Sequence, residues 1–422
     1  VMESVFAVVD IFFVAGLGAD AVAAVGLTEV VITPLYAIAV GLSTGVTAMV
    51  SRRIGAGDRD AAGVVAGQAV WMGLLVSAVV GAIGLNFAPQ ILGWMGASDA
   101  VIDMGANYTQ IMLGGAITIV FLFLLNAVFR GAGDATIAMR ALWLANGINI
   151  VLDPCLIYGL GPFPEMGVTG AATATNIGRG IGIMYQVWML TRGRGRIRLA
   201  WRHLPIRLPI LLRMMKISAG GMLQHLIATS SWIFIMRLVS PFGSAAVAGY
   251  TIGIRLLELT FLPAWGLGNA GATLVGQNLG AGQPERAEAS AWRAVRYNAV
   301  FLVSVAIVFL AAADVIVPLF SSDPEVIRYG TACMRIIACG FGFYAVGMVL
   351  MQAFNGAGDT FTPSWINGVC FWLFQIPLAF TLIRFFGFGP EGAFIAIALS
   401  ESLVALIGVP LFRRGKWKLR EV

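Results

Sequence analysis

The stretch "FRGAGDATIA" at residues 129–138 is answered by "FNGAGDTFTP" at 354–363, so that Gly131 and Gly356 lie 225 residues apart. The same 225 residues separate Gly55 in "IGAGDRDAA" (54–62) from Gly280 in "LGAGQPERAEA" (279–289). Further on, "GVTGAATAT" (167–175) is answered by "GPEGAFIAI" (389–397), with Gly170 opposite Gly392. The chain therefore carries two copies of one plan, and the content of each copy decides the fold.

That content is apolar. Of 422 residues, 59% are hydrophobic and only 11% charged. A soluble domain typically holds roughly 25% charged and 45–50% apolar residues. Runs of about 20 apolar residues, each long enough to cross a bilayer as a helix, recur throughout. The short alternating segments of a membrane barrel are absent from the sequence. Twelve candidate spans lie near 1–16, 22–50, 64–86, 106–128, 136–159, 166–190, 211–239, 245–275, 292–320, 330–354, 363–385 and 390–412. The expected fold is all-α: a polytopic membrane protein with twelve transmembrane helices in two pseudo-symmetric six-helix lobes. The chain opens inside an apolar helix, "VMESVFAVVDIFFVAGLG", whose first turns are expected to precede Val1.

The connections alternate in charge. Arg52, Arg53 and Arg59 crowd one loop, and Arg130 and Arg140 flank the next basic one. The run "TRGRGRIRLAWRHLPIR" holds the densest basic cluster, "GAGQPERAEASAWRAVR" carries Arg286, Arg293 and Arg296, and the tail is "RRGKWKLREV". Loops between them, such as "GLGADAV" and "GPFPEMG", carry no Lys or Arg. By the positive-inside rule the basic set and both termini are expected on the cytoplasmic side of the cell (inner) membrane. The expected organisation is an N-terminal lobe at 1–190, a basic cytoplasmic linker at 191–209, a C-terminal lobe at 210–412 and a basic tail at 413–422. Six spans in each half give a parallel repeat, whose axis runs along the membrane normal.

Several function classes drop out. The net charge of +6 reflects loop placement and implies no nucleic-acid partner. Cys155, Cys333, Cys339 and Cys370 lie in apolar runs without metal-ligand spacing and read as small core residues. Only two histidines exist, His203 and His225, and no nucleophile or metal constellation appears, so no enzyme and no cofactor are expected. No charged ring or re-entrant filter suggests a channel.

The repeat also provides an internal control. Asp10 lies opposite Ile235, Asn126 opposite Met351 and, with a slightly shorter separation, Asn149 opposite Cys370, Asp153 opposite Phe374 and Thr175 opposite Ile397. Polar groups needed only for folding should recur in both halves, and these do not. Asn149 and Asp153 are four residues apart and share a helix face. Two carboxylates, two amides and a hydroxyl are oxygen ligands suited to Na⁺ or to a proton relay, so Asp10, Asn126, Asn149, Asp153 and Thr175 form the candidate cation-coupling site. Pro154, directly after Asp153, is expected to bend its helix. Gln224, Gln352 and Tyr344 are candidate substrate contacts. Arg255 and Glu258, three residues apart, are a candidate structural ion pair, and Arg335 with Glu401 a second. Plentiful Met and aromatic side chains suit lipophilic cations.

The stretches "VVDIFFVAGLGADAVAAVG", "GLSTGVTAMVSRRIGAGD", "FRGAGDAT", "NIVLDPCLIYG" and "GVTGAATAT" resemble the multidrug and toxic compound extrusion (MATE) transporters over nearly the whole chain. The resemblance implies two six-helix lobes and export of organic cations or lipophilic drugs, coupled to inward Na⁺ or H⁺ by alternating access, by a functional monomer. The segment "GIRLLELTFLPAWGLGNAGATLVGQNLGAG" is similar to the DinF-type branch, in which the cation site lies in the N-terminal lobe. That branch's aspartate, asparagine, Asn–Asp pair and threonine match Asp10, Asn126, Asn149 with Asp153, and Thr175. The NorM-type branch places its acids in the seventh and tenth helices, where Ala228 and Tyr344 stand here. A lipid-linked precursor flippase of the same superfamily fold is the alternative.

Overall fold

The computed structural model describes residues 12–193, 195–420 and 422. Among them there is no strand. Residues 12–15 are helical (α1) and are followed by α2 (Ala19–Gly55), α3 (Arg59–Trp94), α4 (Asp99–Gly114), α5 (Ala116–Ala132), α6 (Ala135–Tyr158) and α7 (Val168–Arg192). Then come α8 (Leu208–Val239), α9 (Ser244–Gly280), α10 (Pro284–Ile316), α11 (Pro324–Ala338), α12 (Phe341–Gly356), α13 (Phe361–Asn367), α14 (Ile376–Arg384) and α15 (Glu391–Arg413). Among the described residues nine helices are long and apolar enough to span, or ten when α11 and α12, bent by 59°, count as one. The sixth predicted span is α7, which has 25 residues but a more polar sequence, and most of the first lies outside the described residues. Helices satisfy every backbone group internally, which hydrocarbon demands.

Two compact units divide at Ser218 and Ala219, inside α8. In the first unit, α6 and α7 pair closely along a stripe of small residues spaced by four: Gly170, Ala174, Gly178 and Gly182. A β-carbon on Gly170 would stand 2.5 Å from the Leu156 carbonyl oxygen, and one on Gly178 2.6 Å from that of Ala145. Small residues let backbones touch where lipid supplies no hydrophobic drive between helices. The fourth span breaks at Gly115, between α4 and α5. Asn176 of α7 covers the break, accepting from Thr118 Oγ1 (2.7 Å) and donating to the Ile111 carbonyl (2.9 Å). Pro154 does not interrupt α6, which runs on to Tyr158; proline removes one N–H donor, and the helix absorbs that loss here.

In the second unit, α9 packs on α10, α11 and α12, and α12 packs on α15. The eleventh predicted span is α13 and α14 joined by a π-helical segment, Gly368–Gln375. Aromatic rings fill this core, with Tyr250 stacked on Phe394 (5.8 Å) and Phe261 against Tyr344 (4.4 Å). Of the cysteines, Cys333 and Cys370 are buried as expected, but Cys339, at the α11–α12 bend, is exposed.

The basic segments after α7 and after α15 are latched to their own units. Asp134, of the GAGD motif at 131–134, accepts from the Arg196 backbone N–H at 2.5 Å and lies 3.8 Å from its Nε. Asp60 binds Arg202 and accepts from His203 Nε2 at 2.9 Å. His203 Nδ1 accepts from the Ala200 N–H, which leaves the proton on Nε2. Gln68 and Trp71 hold the backbone at Pro205, Arg207 and Leu204. In the second unit, Asp359, 225 residues after Asp134, lies 3.3 Å from Arg420 Nη2. Glu288 takes Lys418 at 2.5 Å, and buried Trp417 stacks on Phe412 at 4.5 Å. Gly193 and Gly415, both at positive φ, turn the chain back at equivalent places.

Two outcomes follow from this packing. Gly178→Val overpacks the α6–α7 seam and costs about 1–3 kcal/mol, read as a lower unfolding midpoint in detergent. Gly180→Ala, where a β-carbon meets open space, does not lower the midpoint. Asp134→Ala releases the first latch, so trypsin cleaves after Arg196 and Arg198 faster than in the parent protein.

Candidate functional site

The site is built by α6 and α7, which their glycine seam holds in contact. Asn149 and Asp153 lie one turn apart on α6, and both are buried, Asp153 completely. Asn149 Nδ2 donates to Asp153 Oδ1 at 3.1 Å and to Thr175 Oγ1 of α7 at 3.2 Å. One amide thus ties a carboxylate on one helix to a hydroxyl on the next. Asn149 Oδ1 is buried and has no hydrogen-bond partner among the described residues. A buried amide oxygen left unmatched costs about 1–3 kcal/mol, which a cation or a protonated group at the site would offset.

Asn126, on α5, is bound elsewhere: its Oδ1 accepts from Gln186 Nε2 of α7 at 2.7 Å. Gln186 is fully buried, and its Oε1 has no partner among the described residues. Sequence reasoning passed over Gln186, although its partner under the 222-residue spacing of the sixth spans is Gly408, the same polar-to-nonpolar contrast that marked Asn126. Asp10 lies outside the described residues.

Helix ends correct one pairing of the internal control. The segments Ala135–Tyr158 and Phe361–Arg384 both hold 24 residues, which sets Asn149 opposite Gln375 and Asp153 opposite Ala379. The contrast at Asp153 survives. The contrast at Asn149 does not, because Gln375 is also a buried amide; it accepts from Ser400 Oγ at 3.1 Å.

The other candidates sit in the second unit. Gln224 and Gln352 come together on Asn355, whose Nδ2 donates to Gln224 Oε1 (3.1 Å) and to Gln352 Oε1 (3.3 Å). Tyr344 lies apart from them, against Phe261. Arg255 and Glu258 approach no closer than the 4 Å of a salt bridge: both are exposed side chains on α9, free to spread apart. Arg335 pairs with Asp314 of α10 at 2.5 Å, not with Glu401. Asp314 projects from the neighbouring helix at the level of Arg335, and this contact satisfies its charge.

A repeated all-α bundle with membrane-length helices and a polar group sealed inside one repeat defines a polytopic membrane protein. The MatE family model matches residues 1–155 and 222–381, and the chain belongs to that family. The probable multidrug resistance protein NorM of Thermotoga maritima is 26% identical over 428 residues, covering 100% of this chain and 91% of that protein. An FAD transporter of Shewanella oneidensis is 26% identical over 401 residues, covering 95% and 88%. A solved transporter of the MOP superfamily from Pyrococcus furiosus, described as having a binding pocket of reversed polarity, superposes with a TM-score of 0.91 at 26% identity, covering 100% and 93%. These relatives are transporters rather than enzymes, and they do not favour the flippase alternative.

The Gln186–Asn126 pair can be tested by itself. Gln186→Leu strands Asn126 Oδ1 in the bundle and costs about 1–3 kcal/mol, read as a lower unfolding midpoint. The added change Asn126→Leu restores part of the loss, since removing both partners costs less than removing one.

Proposed function

We propose that this protein exports organic cations and lipophilic drugs by antiport with H⁺ or Na⁺, with its coupling site in the first unit at Asp10, Asn126, Asn149, Asp153 and Thr175. The observation that carries this reading is the buried Asp153, bonded through Asn149 to Thr175 inside an apolar bundle. An ionisable side chain there is costly unless it binds a proton, an ion or a partner. Loading the site biases alternating access only if the ion binds one facing more tightly than the other. The names of relatives such as the Thermotoga protein support multidrug substrates. Ala228 and Tyr344, where the other branch carries acids, support a single site in the first unit. On this reading the chain works as a monomer in the cell membrane with both termini in the cytoplasm.

Asp153→Asn and Asp10→Asn each abolish efflux of a fluorescent cation from vesicles while the protein stays at parental levels in the membrane. Efflux is measured with a pH gradient and a Na⁺ gradient imposed separately, and the gradient that drives the parent identifies the coupling ion. Parental efflux by both variants refutes the site.

A further inference from the structure

Glu29 lies ten residues inside α2, within a membrane-length helix, and no role has yet been given to it. Its side chain makes no hydrogen bond or ion pair with the described residues; only its backbone carbonyl is engaged, by Thr33 Oγ1 at 2.9 Å. Its helix has two contrasting faces. Ile32, Leu35, Ala39, Leu42 and Val46 form the buried one. Glu29, Thr33, Tyr36, Thr44 and Thr47 fall on another, and none of the five is buried. A carboxylate, three hydroxyls and a phenol along an unburied face are not turned to lipid tails. A charge at the centre of a membrane helix costs about 2.5–3.5 kcal/mol or more, and such faces line water. With Val40 the apolar member between Tyr36 and Thr44, a stripe of this composition suits the wall of an aqueous space.

Arg179 reaches this wall from α7. Its Nη2 donates to Tyr36 Oη at 2.7 Å, and it lies within electrostatic reach of the Glu29 carboxylate without closing to a 4 Å salt bridge. Tyr36 in turn meets Phe123 edge to face at 6.0 Å. A carboxylate thus faces the water-lined side with an aromatic pair about 10 Å further along the same helix. In the second unit the matched helix Ser244–Gly280, also 37 residues long, has Ile254 at this place. The fold does not need the acid.

We propose that Glu29 is the anionic contact for transported substrate: it binds the cationic head of a lipophilic organic cation whose aromatic body lies along α2 toward Tyr36 and Phe123. Arg179 balances the carboxylate when no substrate is present and is displaced from it electrostatically when the substrate's charge arrives. This assignment rests on the organic-cation reading above.

The test uses the whole purified protein and tetraphenylphosphonium as the probe. Glu29→Gln weakens probe binding about tenfold or more, Glu29→Asp retains most of it, and binding of a neutral lipophilic dye is unchanged. A second measurement needs no variant. A hydrophobic carbodiimide labels Glu29 in the parent protein, and the probe protects it, as read by mass spectrometry of the α2 peptide. Binding by the parent that leaves Glu29 fully labelled, or a folded Glu29→Gln variant with parental affinity, overturns this assignment and leaves the export reading standing. A parent protein that binds no organic cation overturns the export reading and this assignment together.

Discussion

A polar or ionisable side chain surrounded by hydrocarbon must find a partner, a proton or water, and the first unit is arranged around that constraint. The glycine seam between α6 and α7 brings the two backbones close enough for one amide, Asn149, to bridge Asp153 and Thr175. Asn176, one residue beyond Thr175, meets the same requirement for the broken fourth span. Glu29 stands apart from both, on the unburied face of α2 that also carries Thr33, Tyr36, Thr44 and Thr47. All three lie within a single unit.

The second unit carries buried amides of its own, at Gln224, Asn355 and Gln375, but no acid at the place of Asp153, and its core is fuller of rings. Where α2 carries Tyr36 and α5 begins at Ala116, the matched positions in α9 and α12 hold Phe261 and Phe341, whose rings pack at 5.4 Å. Where the first unit has Gly84, close against Leu113, the second has Phe309, which meets Phe341 at 6.2 Å. Aromatic contacts of this kind add about 0.5–1.5 kcal/mol each beyond burial, while small residues give close backbone approach instead. At these matched positions the second unit packs rings where the first brings backbones close.

Much of this was readable in the residues. The 225-residue repeat and the apolar runs specify the helices and their pairing between halves, because both are properties of local composition. Asn149, Asp153 and Thr175 were legible for the same reason: a four-residue spacing fixes a shared face, and the unmatched acid stands out. What the sequence hid depends on tertiary geometry. A π-helical turn at Gly368–Gln375 has no composition of its own, so the register of the fifth spans slipped and Gln375 was missed as the counterpart of Asn149. The spacing of Arg255 and Glu258 allows a contact without enforcing one, since exposed side chains keep their freedom. Arg335 chose Asp314 because the neighbouring helix lies closer than the sequence distance suggests. Glu29 and Gln186 carry the same signal in the repeat, standing opposite Ile254 and Gly408.

The latches show how far the repeat extends. Asp134 and Asp359 hold equivalent positions, each fastens the arm that trails the sixth helix of its own unit, and each arm turns back at a left-handed glycine, Gly193 or Gly415. The repeated unit therefore does not end with its last membrane helix; it includes the arm. The segment that joins the halves is at the same time the closing strap of the half that precedes it, which is why the densest basic run in the chain is fastened to that half at Asp60, Gln68, Trp71 and Asp134.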